Sequence, residues 1–119
     1  MQQNLISIEN LPKHSNNEIY TMHWGKKKKV REMYEMLITH LVHKTFGGRV
    51  NLIHGVVTYD FIFKEKPLDC SNCAGMIKWI EDIMFREDGY KNISTINVSS
   101  SLNEQQETDM VVTISIQIQ

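Results

Sequence analysis

The sequence predicts a two-layer α/β domain in which a mixed β-sheet carries two main helices on one face. The first observation is the run over 110–119, in which Met110, Val112, Ile114, Ile116 and Ile118 alternate with Val111 and four polar residues, as is typical of a half-buried strand. The second is a run over 26–45 whose apolar residues recur near helical spacing. The third is the order of the predicted elements, β-α-β-α-β-β, which pairs strands around two intervening helices.

The first half of the chain supplies a strand, a loop and a helix. Leu5 to Glu9 alternates apolar and polar residues and predicts a short strand. Residues 10–25 are rich in turn formers and predict a long, flexible loop, and a loop of that length in a compact domain usually carries a function. The helix over 26–45 ends at Gly47-Gly48. Its predicted inner face comprises Val30, Met33, Tyr34, Leu37 and Leu41.

The second half supplies the remaining strands and the second helix. Residues 49–63 predict one long strand, with Asp60 on one face and the apolar residues on the other. Those apolar residues are Val57, Tyr59, Phe61 and Phe63. A helix is predicted from Asn72 to about Phe85, followed by a short strand, Ile93 to Val98. The residues that should pack this helix on the sheet are Cys73, Met76, Ile77, Ile80 and Met84.

Composition limits the class of protein. With 119 residues, 41% of them hydrophobic and 23% charged, the chain fits a single domain spanning 1–119. No apolar run approaches the roughly 20 residues that cross a bilayer, so we expect no membrane partner. Two cysteines are too few for a disulfide scaffold and predict a reducing, cytoplasmic setting.

Charge is distributed unevenly along the chain. Residues 1–50 hold eight Lys and Arg against four Asp and Glu, whereas residues 51–119 hold five against ten. The basic residues concentrate directly after His23-Trp24-Gly25, as Lys26, Lys27, Lys28, Lys29 and Arg31. The run has two interpretations, a solvated first helical turn or a surface that attracts nucleic-acid phosphates beside a stacking aromatic. A helix N-terminus prefers anions, so four lysines there favour a bound anion such as phosphate.

Acidic residues surround the second helix. Asp69 precedes it, Lys78 and Asp82 lie four residues apart on its outer side, and Glu87-Asp88 follow it. A structural interpretation makes these a helix cap, an exposed ion pair and turn residues. A functional interpretation makes them a Mg²⁺ site, because Mg²⁺ binds carboxylate oxygens, waters and substrate phosphate. The helix spans roughly 20 Å, so Asp69 and Asp88 meet only if the chain folds back.

The motifs of this chain follow one another in the order that a known protein family shows. From Ser15 to about Ser99 the chain resembles the RusA-type Holliday-junction resolvases, especially their short phage-borne members. The resemblance covers about 85 residues. The motifs that carry it are Ser15-Asn16-Asn17, Ile19-Tyr20, His23-Trp24, the lysines 26–29, Asp69-Cys70-Ser71-Asn72, Lys78, Asp82 and Glu87-Asp88.

The resemblance implies a homodimeric endonuclease that cuts four-way DNA junctions and depends on Mg²⁺, with Mn²⁺ as the alternative ion. It also implies that the protein acts in the cytoplasm of a bacterial cell and is encoded by the host or by a phage. It implies that Asp69 and Asp88 bind the metal, with Asp82 and Glu87 as supporting acids. Lys78 would contact the scissile phosphate or the leaving oxygen. The DNA-contacting residues it implies, partly from the loop 10–25, are Asn17, His23, Trp24, Lys26, Lys27, Lys28, Lys29 and Asn72.

Two departures from the family leave a second function open. Ser71 stands where many members have a second metal-binding aspartate, and the gap between Asp82 and Glu87 is shorter than usual. The alternative is therefore a branched-DNA-binding protein with a degenerate metal site and no catalysis. The Cys70-Ser-Asn-Cys73 spacing also permits a redox or zinc site, although a zinc site would need two further ligands.

Overall fold

The computed structural model describes residues 2–51, 55–85 and 93–118. The described chain contains four strands, three α-helices and one 3₁₀ turn. In chain order they are β1 (Gln2–Ile8), α1 (Asn16–Thr21), α2 (Trp24–Phe46), β2 (Gly55–Phe63), the 3₁₀ turn (Cys70–Cys73), α3 (Ala74–Met84), β3 (Ile93–Leu102) and β4 (Met110–Ile118).

The strands form one mixed sheet in the order β1-β4-β2-β3. β4 is antiparallel to both β1 and β2, whereas β2 and β3 are parallel and α3 lies between them in the chain. A parallel pair needs such a crossover because its strands run in the same direction. The predicted two-layer fold with a mixed sheet is confirmed.

The sheet and α3 bury the residues that their periodicities select. Every second residue of β2, from Gly55 to Phe63, is buried, as period-two alternation requires. Four predicted inner residues of α3 are buried, as is Cys73 at the end of the 3₁₀ turn before it. Met110, Val112, Ile114 and Ile116 of β4 are buried too. The core therefore lies between one face of the sheet and the helices.

The predicted inner face of α2 is partly wrong. The buried residues of α2 are Val30, Tyr34, Ile38 and Val42, which are spaced by four. Met33 is 45% exposed, whereas Leu37 and Leu41 are half-buried at the edge of the core. The rotation of α2 is set by Tyr34, whose hydroxyl donates to the Pro12 carbonyl (2.5 Å) and whose ring meets Trp79 edge-on.

The predicted loop over 10–25 is also wrong in part, because it contains α1 and the start of α2. Ser15 and Glu18 form a capping box, in which each side chain bonds the backbone N–H of the other residue. The Ser-x-x-Glu spacing was visible in the sequence, but turn-forming residues around it obscured the helix.

Other boundaries differ by a few residues. β2 begins at Gly55 rather than at 49, although positions 52–54 lie outside the described residues. Val50 instead forms an isolated bridge with Phe85. α3 begins at Ala74, after the 3₁₀ turn, and β3 continues past the predicted end at Val98 to Leu102.

Candidate functional site

The turn before α3 is organised by Asp69. Its carboxylate accepts the backbone N–H of Asn72 (2.9 Å) and the hydroxyl of Ser71 (3.3 Å), so it caps the 3₁₀ turn that leads into α3. The Asp69 side chain is nevertheless exposed. Because a carboxylate has about four acceptor lone pairs, these two bonds leave some of the Asp69 lone pairs open to solvent. The interpretation of Asp69 as a cap is confirmed. Its exposed carboxylate can still bind a ligand while it caps the turn.

Asn16 joins α1 to this turn. Its side-chain amide donates to the Ser71 carbonyl (2.7 Å) and its side-chain oxygen accepts the Gly75 N–H (2.8 Å). Both amide functions of Asn16 are therefore satisfied by the chain segment that Asp69 caps. The predicted DNA contacts included Asn17 and Asn72, whereas Asn16 had no assigned role. Asn17 is exposed, and Asn72 is half-buried with its backbone N–H bonded to Asp69.

The two cysteines pack against neighbouring backbone. Cys70 is exposed and its thiol donates to the Val98 carbonyl (3.4 Å), which lies in β3. Cys73 is buried and its thiol donates to the Asp69 carbonyl (3.5 Å). Burial raises the pKa of the Cys73 thiol to about 11. Cys73 is therefore a protonated thiol packed in the core, which is an ordinary position for a free cysteine.

Three charged residues lie along the exposed side of α3. Lys78 and Asp82 form an i,i+4 ion pair (3.2 Å), as the structural interpretation predicted. Glu81 is half-buried and accepts the hydroxyl hydrogen of Tyr59 (3.1 Å). Burial raises the pKa of Glu81, while the Tyr59 and Lys78 contacts lower it less. Glu81 was not among the predicted site residues, because its neighbour Tyr59 lies 22 residues away.

The predicted metal ligands do not all come together. Asp69 precedes α3 and Asp82 lies near its far end, 13 residues later, which places them roughly 18–20 Å apart along the helix. Asp82 therefore cannot share one ion with Asp69. Glu87 and Asp88 lie outside the described residues. Within the described ranges, no three His, Cys, Asp or Glu residues are grouped closely enough to hold a metal.

A basic and aromatic surface forms at the start of α2. Trp24 is 75% exposed and lines an open groove of about 370 Å³. The other residues lining it are Met22, Lys27, Lys28, Arg31, Glu32 and Glu35. His23 caps α2 by accepting the Gly25 N–H (3.2 Å), and its ring lies 5.5 Å from that of Trp24. His23 therefore has a capping role that its prediction as a DNA contact did not include.

A second groove, of about 470 Å³, runs between α3 and β3. Its wall is mostly apolar, formed by Ala74, Ile77, Ile96 and Val98, with Ser71 at one end. Lys78 and Glu81 supply its charged groups, and Cys70 completes the lining. This groove connects the Asp69 turn with the middle of α3.

Comparison with protein-family models and with curated proteins gives no match to this chain. Within the described ranges, none of the helices is both long and apolar enough to cross a membrane.

Proposed function

We propose that the protein is a Mg²⁺-dependent endodeoxyribonuclease that binds four-way DNA junctions and cuts them as a homodimer, in the manner of the RusA-type resolvases that it resembles. The observation that best supports this is the Asn16 link. It ties the helix preceding the basic, aromatic surface to the turn that presents Asp69. A nuclease needs such an arrangement, because a phosphate-binding surface must hold DNA in a fixed position relative to the carboxylates.

The surface at the start of α2 has the chemistry of a nucleic-acid contact. Lys27, Lys28 and Arg31 border a groove with the exposed ring of Trp24, and Tyr20, one α-helix earlier, is 84% exposed. Cations neutralise phosphates with release of counterions, and exposed aromatic rings stack on unpaired bases. Junctions offer phosphates along every arm and, where the arms unstack at the branch point, exposed faces of the bases there.

Asp69 fits a hard cation, because its exposed carboxylate supplies oxygen ligands of the type that Mg²⁺ binds. The resemblance implies that Asp88 and Glu87 complete the ligand set. When bound, Mg²⁺ would lower the pKa of a water and stabilise the leaving oxygen. Lys78 would contact phosphate from the groove it lines with Ser71, and Asp82 would orient Lys78 through their ion pair.

The decisive substitution is Asp69→Asn. Asparagine is as good an N-cap as aspartate, so the turn should keep its fold while the metal-binding charge is lost. We expect Mg²⁺-dependent cleavage of a synthetic four-way junction to fall by about 100-fold or more, as for loss of a principal charge-stabilising group. Junction binding should be unchanged or tighter, because a carboxylate repels phosphate.

Asp109→Asn is the matched control, because Asp109 is an exposed carboxylate in the turn before β4. It should cut junctions like the wild type. Wild-type protein that binds junctions but never cuts them with Mg²⁺ or Mn²⁺ would exclude the nuclease. The non-catalytic junction-binding protein, which the serine at position 71 favours, would then be the function.

DNA binding is tested separately by salt dependence. Lys28→Ala should reduce the slope of log K against log salt by about one unit, the contribution of one phosphate contact. Ala substitution of all four lysines, 26–29, should reduce it further. Lys44→Ala, at the opposite end of the same helix, is the control and should leave the slope unchanged. Equal slopes for the Lys28 and Lys44 variants would contradict the DNA-binding role and favour the alternative, in which the lysines are a solvated helix face.

A further inference from the structure

The edge strand β3 lacks most of the features that usually protect a sheet edge, and the register shift in its pairing with β2 is at its start, between Ile93 and Thr95. Within the described chain, β3 is the last strand of the sheet and pairs only with β2. Its ten residues, ISTINVSSSL, include no charged residue and no proline. Natural edge strands are commonly short, charged, interrupted by proline or bulged, because an unpaired edge recruits other strands. A ten-residue neutral edge therefore has the composition of a strand that pairs.

Within the described residues, the helical layer covers the other edge of the sheet more completely than this one. On β1, Ile6 and Ile8 face the helices and are 4% and 1% exposed. On β3, Ile96 and Leu102 are 45% and 49% exposed. They lie on the same side of the sheet as the helices, because their partners on β2, Val57 and Phe63, belong to its buried face.

We propose that β3 is the surface through which two copies of this chain associate, by antiparallel pairing of the two β3 strands about a two-fold axis. The two four-stranded sheets would then form one continuous sheet of eight strands. A two-fold axis brings each central residue close to its own copy, so a charged strand would meet like charges. The neutral composition of β3 avoids that repulsion, and its Ser, Thr and Asn side chains can bond to their own kind. This complementarity favours a second copy over a charged peptide from another protein.

The pairing also has a consequence for the Asp69 turn. That turn is attached to β3 by two hydrogen bonds, from the Ser100 hydroxyl to the Leu68 carbonyl and from the Cys70 thiol to the Val98 carbonyl. Pairing through β3 would therefore place both Asp69 turns on the same face of the joined sheet, on either side of the axis. The inference rests on the proposed function only for the expectation of a homodimer, and it specifies the surface.

The test measures molecular mass by analytical ultracentrifugation over micromolar concentrations, without DNA or Mg²⁺. The wild type should be dimeric. Ile96→Lys and Ile96→Glu should each weaken dimerisation by about tenfold or more, since like charges would be juxtaposed across the axis. An equimolar mixture of the two variants should recover a 1:1 dimer, because the charges across the axis are then opposite. Leu5→Lys is the matched control, since Leu5 is a similarly exposed apolar residue (60%) on the other edge strand.

Recovery in the mixture also shows that both variants are folded, so loss of dimer cannot be attributed to unfolding. A wild type that is monomeric throughout, or a dimer that Leu5→Lys dissociates and Ile96→Lys does not, would overturn the inference. Junction cleavage distinguishes it from the proposed function. A monomeric wild type that cuts junctions refutes dimerisation but not the nuclease activity, whereas a β3 dimer that never cuts refutes the nuclease activity but not the dimer.

Discussion

Replacing Asn16 by alanine should destabilise the protein through the loss of two hydrogen bonds. The Gly75 N–H is partly buried and would lose its acceptor, while the Ser71 carbonyl would lose its donor. Each such bond contributes about 0.5–1.5 kcal/mol, and a partly buried donor without a partner costs somewhat more. We expect the free energy of unfolding to fall by about 1.5–3 kcal/mol. At about 4 °C per kcal/mol, the melting temperature should fall by about 6–12 °C.

The matched control is Asn17→Ala, the same chemical change one residue later in α1. Asn17 is exposed, and its backbone carbonyl, which accepts the Thr21 hydroxyl, is kept in the variant. Its unfolding free energy should change by no more than about 0.5 kcal/mol. Asn16→Asp keeps the acceptor for Gly75 and removes the donor to Ser71, so it should fall between the wild type and Asn16→Ala.

Urea denaturation followed by circular dichroism measures all three variants under one set of conditions. Equal unfolding free energies for Asn16→Ala and Asn17→Ala would refute the link. An Asn16→Asp variant as unstable as Asn16→Ala would contradict the intermediate stability expected from the Gly75 bond.

Two further predictions concern polar groups that are partly buried. Tyr34→Phe removes the hydroxyl that bonds Pro12 and should cost about 0.5–1.5 kcal/mol of unfolding free energy in urea titrations, so an unchanged midpoint would contradict it. Burial raises the pKa of Glu81 in the folded protein above its value in the unfolded chain. Between these two pKa values the folded protein binds a proton that the unfolded chain has lost, so the free energy of unfolding falls as pH rises through this range. Glu81→Gln should therefore be more stable than the wild type at about pH 7, with a smaller difference at about pH 4. A stability difference that does not depend on pH would contradict this.

The elements that the sequence predicts correctly are those whose periodicity alone determines the buried face. Burial alternates strictly along β2 and β4, and a one-residue register error would have turned their core side chains outward. The inner face of α3 follows in the same way. α2 could not be oriented as well, because Met33 and Met36 add apolar residues to its exposed side. Its rotation depends on the contact of Tyr34 with Trp79, which no local pattern reveals.

In the candidate site, too, the sequence predicts the contacts between nearby residues and not those between distant ones. The Asp69 cap and the Lys78–Asp82 pair are local, within three or four residues, and both were among the structural interpretations of the sequence. The bond from Asn16 to Gly75 joins residues 59 positions apart, so sequence reasoning had no signal for it. The roles of Glu87 and Asp88, and the ion itself, stay predictions.

Gly75 allows α1 and α3 to pack closely, because it has no side chain at their contact. A methyl group there would come within 2.8 Å of the Ile19 Cδ1 atom and 3.2 Å of the Asn16 Oδ1 atom. The Ile19 side chain can rotate away, but Asn16 can move only if its hydrogen bonds to Ser71 and Gly75 lengthen. The smallest possible side chain at position 75 would therefore widen the gap between the Trp24 surface and the Asp69 turn, and alter their alignment without changing a single charge.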